Sequence, residues 1–172
     1  MSVVVSDTSP INYLLVTELI DLLPRLYGQV ILPESVYSEL LHEGSSELVR
    51  AWVKTPPEWL SVQKPSTSAI PGANRLHRGE IDAIALAEEL GAGLVLMDDA
   101  AGVRFALARG LTTTGTLGVL VEAAQNGWVQ IDLAIERLRA TEFRATPQLF
   151  ESAKKLAAAK PPTPPRRGPK SI

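Results

Sequence analysis

The chain of 172 residues has no cysteine, which excludes disulfide scaffolds, thiol catalysis and zinc sites built on thiolates. Histidine occurs twice, at His42 and His77, with no ligand spacing, so neither is assigned to a metal. Aromatic residues make up only 5%, and Trp52, Trp59 and Trp128 are too scattered to form a base-stacking platform; they read as core or interface. No apolar run approaches the ~20 residues needed to cross a bilayer, so no membrane role is expected. The opening Met1-Ser2-Val3-Val4-Val5-Ser6-Asp7 lacks a basic segment and meets an acid at once, unlike a signal peptide. Together with the missing cysteines, this points to the cytoplasm.

An excess of positive charge is missing as well. The 17 basic and 19 acidic residues give a net charge of −2. Four of the bases (Lys160, Arg166, Arg167, Lys170) lie in a final segment without acids, which also holds five of the 13 prolines. Residues 160–172 therefore read as a disordered, Pro-rich basic tail. Residues 1–159, with 13 bases against 19 acids, do not resemble a passive phosphate-backbone binder. If this body handles nucleic acid, cations must mediate the contact.

What is present is enough apolar sequence, 45%, to fill the core of one domain. Short apolar runs alternate with helical ones. Val3–Val5, Val30–Leu32, Leu94–Met97 and Leu111–Thr113 read as buried strands, with a further short one at Trp59–Val62. Ser9-Pro10 reads as cap and first residue of a helix through about Leu23. Pro33 opens a helix bearing Val36, Leu40 and Leu41 on one face. Further helices are expected at Ser46–Lys54, Glu80–Leu90, Asp99–Arg109 and Thr116–Gln125, then at about 132–140 and 147–159. Lys64–Ala73, with two prolines, is a loop and not a domain boundary, and there is no internal repeat. This alternation predicts an α/β fold of three layers, α/β/α, around a central parallel sheet.

Open sheets of this kind bind ligands beyond the carboxyl ends of their strands. Two acids stand there, Asp7 after Val3–Val5 and Asp98 after Leu94–Met97. A turn at Asp7 and a helix cap at Asp98 are the structural alternatives. Glu39 lies at the margin of its helix's buried stripe, where a solvated glutamate is the ordinary reading. Glu80 and Asp82 open a helix whose Ala83–Ala87 run has no polar residue, so the helix is buried almost all round. Acids on a buried helix meet a partner, a cation or a cavity. Converging carboxylates without matching lysines or arginines repel one another, and a hard divalent cation resolves that conflict.

These segments are familiar in combination. Asp7-Thr8-Ser9, Val36-Tyr37-Ser38-Glu39-Leu40, Gly79-Glu80-Ile81-Asp82-Ala83-Ile84-Ala85-Leu86-Ala87 and Leu94-Val95-Leu96-Met97-Asp98-Asp99 resemble PIN-domain nucleases. The chain is similar to the VapC-like toxins among them, in the branch marked by Gly115-Thr116-Leu117-Gly118. The likeness covers about residues 2–125. It implies a PIN-like fold and a ribonuclease dependent on Mg²⁺ or Mn²⁺, with Asp7, Glu39, Glu80 and Asp98 as catalytic and metal-binding acids. Asp82 competes with Glu80, and Asp99 with Asp98; the latter is preferred because it ends the strand. Thr8 and Ser9 would support the site by hydrogen bonds. The resemblance also implies an RNA substrate, an antitoxin partner whose basic segment enters the acidic groove, and a homodimer.

Other residues stay open. Thr112–Thr116, Thr114 and Thr116 among them, either hold a phosphate at a helix N-terminus or supply an ordinary cap at Thr116. Arg75, His77 and Arg78 either steer substrate backbone or belong to a solvated loop, and Arg104 is expected to pair with an acid. A PIN-like module that binds protein or RNA without cleaving is the competing function. Aspartyl-phosphate phosphatases fit poorly, since Ser9 stands where they need a second acid, and receivers fit poorly because Thr112–Thr114 offers no lysine.

Overall fold

The computed structural model describes residues 2–159; the expected tail at 160–172 lies outside the described residues. Five short strands, β1 (Val4–Ser6), β2 (Val30–Pro33), β3 (Leu60–Gln63), β4 (Leu94–Leu96) and β5 (Thr113–Thr114), form one all-parallel sheet in the order β3-β2-β1-β4-β5. Because side chains alternate across a strand, Val4, Val30, Leu32 and Leu96 enter one core while Val5, Val95 and Met97 enter another on the opposite face. That is why the inner strands β1, β2 and β4 read as continuous apolar runs, covered on both faces, whereas the edge strand β3 is mostly exposed and β5, expected to be buried, is half-buried.

The second core is roofed by α5 (Arg78–Leu90) and α6 (Ala100–Ala108), through Ala83, Ile84, Leu86, Ala87 and Ala106. The first is covered by α1 (Thr8–Val16), α2 (Leu22–Tyr27), α3 (Glu34–Leu41), α4 (Glu47–Lys54), α7 (Thr116–Gln125), α8 (Ile131–Arg139) and α9 (Pro147–Ala158). The result is the three-layer α/β/α arrangement. Among the described residues, no helix is long and apolar enough to cross a membrane. The tryptophans pack as structure: Trp52 lies against Trp59 at 5.9 Å, and the Arg25 guanidinium sits 4.2 Å over Trp128.

Three local readings need correction. The helix after β1 begins at Thr8, with Asp7 rather than Ser9 as its cap residue and Pro10 third in the helix. It ends at Val16 instead of running to Leu23. Thr17 turns its hydroxyl back to Tyr13 O at 2.6 Å, and Glu18 adopts a left-handed φ of 61°. An uninterrupted helix would have put Pro24 in its interior; the restart at Leu22 places it in a first turn, where its missing N–H costs nothing. Finally, β5 begins at Thr113 rather than Leu111, because the Leu111 amide still closes α6, donating to Ala106 O around Gly110 (φ 81°).

The chain lays down β1, β2 and β3 toward one edge and then crosses back to place β4 and β5 on the other side of β1. The crevice at the carboxyl ends of β1 and β4 is thus the topological switch point, where such sheets hold their ligands.

Candidate active site

Asp7 follows β1 directly, and its amide donates to Leu96 O at 2.8 Å, so the ends of β1 and β4 stay fastened past the last ladder pair. Its side chain is 6% exposed and makes no capping bond to α1. Asp98, beyond the end of β4, is gripped from the neighbouring crossover: the Thr116 amide and hydroxyl each donate to one of its oxygens at 2.7 Å. Glu39 comes from α3 and is exposed; its Oε2 accepts the Thr8 hydroxyl at 2.8 Å. Glu80 is the third residue of α5, buried, and accepts the His77 amide at 3.1 Å.

The charges of Glu80, Glu39 and Asp98 all reach Asp7. A Cβ on Gly79 would stand 3.1 Å from both Asp7 Oδ1 and Glu39 Oε2. On the other side, a Cβ on Gly102 would stand 3.5 Å from the Glu80 carboxyl carbon. Burial, followed by the charges of Glu80, Glu39 and Asp98, pushes the Asp7 carboxyl up to about 7 against the lowering influence of the Thr8 amide. Glu80 is raised by burial, with Asp99 and Glu39 adding to it while the His77 amide opposes. Asp98 is raised by burial against the lowering pull of Thr116. None of the four is in an ion pair among the described residues.

A family model described as DUF3368, PIN domain, matches residues 3–159. The chain belongs to the PIN-domain family. PIN domains are generally nucleases, and they usually use divalent metals. Nothing among curated proteins or solved structures matches the chain.

Within this PIN domain the two acidic doublets resolve by geometry. Asp82 faces away from the cluster, into a network with the Ser68 hydroxyl and with Arg78 Nε at 3.0 Å. Burial alone would raise it, but hydrogen bonds from Ser68 and Arg78 outweigh that and hold it below the usual carboxylate range. Asp99, and not Asp98, caps the helix that follows, accepting from the Ala101 and Gly102 amides at 2.9 and 3.0 Å. Its charge still reaches Glu80. Thr116 is the first residue of α7 and not its cap, which is Gly115, and its hydroxyl is taken by Asp98. Ser9 and Thr114 make no side-chain hydrogen bond to these acids among the described residues, and Arg104 is in no ion pair there.

The residues that sequence reasoning undervalued are glycines. Gly79 leaves open the space between Asp7 and Glu39. Gly115 has Asp98 Oδ1 2.6 Å from where its Cβ would be, and at Gly118 a Cβ would collide with the Thr114 hydroxyl. The Gly115-Thr116-Leu117-Gly118 motif is therefore a packing requirement: two missing side chains let α7 come down onto the ends of β4 and β5. The signal was in the motif, but its target was not.

A hard divalent ion suits this donor set, which is all oxygen, carries no competing cation and has Gly79 keeping clear the space between Asp7 and Glu39. Among the described residues no three acids or histidines already stand close enough to hold an ion. The cluster is open rather than a closed cage.

Proposed function

We propose that this PIN domain is a divalent-metal-dependent endoribonuclease, the toxin of a type II toxin–antitoxin pair in the VapC-like branch, working in the cytoplasm. The observation that carries this reading is the reach of the Glu39, Glu80 and Asp98 charges onto the buried Asp7 at the switch point of the sheet, with no cation paired to any of the four among the described residues. Asp7, Glu39, Glu80 and Asp98 would hold Mg²⁺ or Mn²⁺. When bound, such an ion polarises a phosphoryl oxygen and activates water for attack on the phosphodiester. The protein's own part is orientation. Thr8 fixes the Glu39 carboxylate, the His77 amide fixes one oxygen of Glu80, and Thr116 fixes both oxygens of Asp98. Asp7, most buried of the strand-end acids and free of side-chain restraint, is the central ligand in this scheme.

Purified wild type should cleave RNA with Mg²⁺ or Mn²⁺ and stop in EDTA, while Asp7→Asn, which keeps shape but removes charge, should be inactive and folded. Equal activity in the two preparations would expose a contaminant. The expected antitoxin inserts a basic segment among the acids and binds more weakly at high salt; a homodimer is expected with it. Co-expression with the neighbouring small reading frame tests that part. If nothing co-purifies and expression alone is harmless, the toxin assignment fails and the nuclease assignment stands by itself. The openness of the acid cluster favours a second reading, a PIN-like module that binds protein or RNA without cleaving. It predicts no thermal shift with Mn²⁺.

A further inference from the structure

Beside the acid cluster lies a groove of about 480 Å³, lined by Ser35, Ser38, Glu39, His42, His77, Arg78 and Gly79. It runs between α3 and the first turn of α5, so Glu39 and Gly79 belong both to the groove and to the acids' margin. Its size lies within the roughly 300–1,000 Å³ usual for ligand sites. Most of its surface is carbon, and apart from Glu39 the polar groups along its wall belong to serine, histidine and arginine side chains.

The donors are set up by specific contacts. His42 Nδ1 accepts the Gly44 amide at 3.1 Å, which leaves Nε2 as the hydrogen-bearing nitrogen. Arg78 gives Nε to Asp82 and Nη2 to Ser68, at 3.0 and 2.9 Å, while Nη1 makes no hydrogen bond among the described residues. The buried Asp82 carboxylate therefore holds a mostly exposed guanidinium (66%) at the groove's rim. This gives Asp82 a positioning role in place of the ligand role its sequence neighbourhood offered. No phenylalanine, tyrosine or tryptophan lines the groove; the flat groups along it are the His42 and His77 imidazoles and the Arg78 guanidinium.

We propose that this groove seats the sugar–phosphate backbone of single-stranded RNA next to the scissile position, with His42 and Arg78 donating to phosphate and the exposed Ser38 hydroxyl within reach of phosphate or ribose oxygens. The assignment rests on the ribonuclease reading for its substrate. A polyanion approaching four carboxylates is repelled, and donors placed on one flank offset that repulsion and fix the direction of approach. Donors to phosphate carry no base information, so recognition through them is indifferent to base identity.

The test uses the whole chain in EDTA and a short fluorescein-labelled 2′-O-methyl RNA, read by anisotropy across a salt series. His42→Ala and Ser38→Glu both change exposed residues, so the fold is kept. Each should weaken binding about tenfold, and His42→Ala should leave the salt slope as in wild type, because an imidazole that accepts at Nδ1 is neutral and displaces no counterion. Ser152→Glu, the same charge change on exposed α9, should leave binding as in wild type. Changing the base sequence of the probe should alter the two groove variants and wild type alike. The proposal is overturned if wild type does not bind the probe, if the groove variants bind like wild type, or if Ser152→Glu weakens binding equally. Cleavage with Mn²⁺ is measured in parallel. Groove variants that bind weakly, beside a wild type that cleaves nothing, would refute the ribonuclease reading and leave the groove assignment in place.

Discussion

Glu80 and Asp82 stand two residues apart on α5, and both are buried, yet they belong to regions built on opposite principles. Asp82 looks outward to the Lys64–Ala73 loop, where Ser68 and Arg78 satisfy it and hold its proton affinity below the ordinary range. Glu80 looks toward Asp99 and Glu39, other acids that raise its proton affinity after burial has already done so, and its own charge raises that of Asp7. One region is an ordinary buried network with its hydrogen bonds made. The other keeps like charges together, an arrangement that costs stability in the metal-free protein and is relieved by a cation. Burial alone does not separate a structural acid from a functional one; the sign of what faces it does.

The widest gap between the two regions should appear in activity. Asp7→Asn should lower metal-dependent RNA cleavage by about a thousandfold, since positioning of a Lewis acid is worth several kcal/mol. Asp82→Asn should keep the metal response and, at saturating RNA, most of the turnover in gel-based cleavage assays. If Asp82→Asn were as dead as Asp7→Asn while still folded, the division drawn here would be wrong.

Stability should separate them with opposite signs. Asp7 has a folded value near 7 against 3.8 unfolded, so the folded state keeps a proton that the unfolded state has lost. Wild-type stability in EDTA therefore falls as pH rises from about 4 to 7 on this account, and Asp7→Asn should exceed wild type by about 2–4 kcal/mol at pH 8. The difference should vanish below pH 4. Saturating Mn²⁺ should reverse the order by stabilising wild type alone, by about 2.7 kcal/mol at a hundred times Kd. Asp82, whose value is depressed, contributes stability above the ordinary carboxylate range that is lost as pH falls through its lowered value. Asp82→Asn should accordingly cost about 1–3 kcal/mol at neutral pH. Urea denaturation over a pH series measures both.

Two smaller effects sharpen the picture of how the acidic region is held. Thr116→Val removes one of the two bonds to Asp98 and should cost about 1.5–3 kcal/mol, with Thr116→Ser recovering most of it in thermal melts. Gly79→Ala puts a methyl group 3.1 Å from the Asp7 and Glu39 oxygens. It should leave the fold intact, cut cleavage about tenfold and shrink the Mn²⁺ thermal shift, because a small displacement of positioned groups is enough.

The elements with a strong apolar period were legible in the sequence. The strands at Val30 and Leu94 and the helices at Glu47–Lys54 and Thr116–Gln125 lie within a residue or two of where composition put them. The break after Val16 was not, because Ile11 to Leu23 keeps a helical period across it; the turn depends on Thr17 bonding back to Tyr13 and on the restart that Pro24 requires. The acids themselves were visible as candidates, since each sits at a strand end or on a helix that is otherwise apolar. Their partners were not. That Asp98 binds Thr116 and Asp99 caps α6 follows from two residues leaving one strand in different directions, and no local pattern in Met97-Asp98-Asp99-Ala100 encodes that choice.

The sequence by itself determined the parallel sheet with helices on both sides, since β-branched triplets without polar faces are stable only when covered twice. It also determined that acids would crowd the carboxyl edge, because strand ends in a doubly wound sheet point the same way. Only the tertiary structure decided which acids would face one another. Electrostatic environment depends on through-space neighbours such as Asp7 and Glu39, far apart in the chain and brought to either side of Gly79. The same α5 turn delivers Glu80 to other acids and Asp82 to an arginine, because side chains two positions apart on a helix leave it in widely different directions.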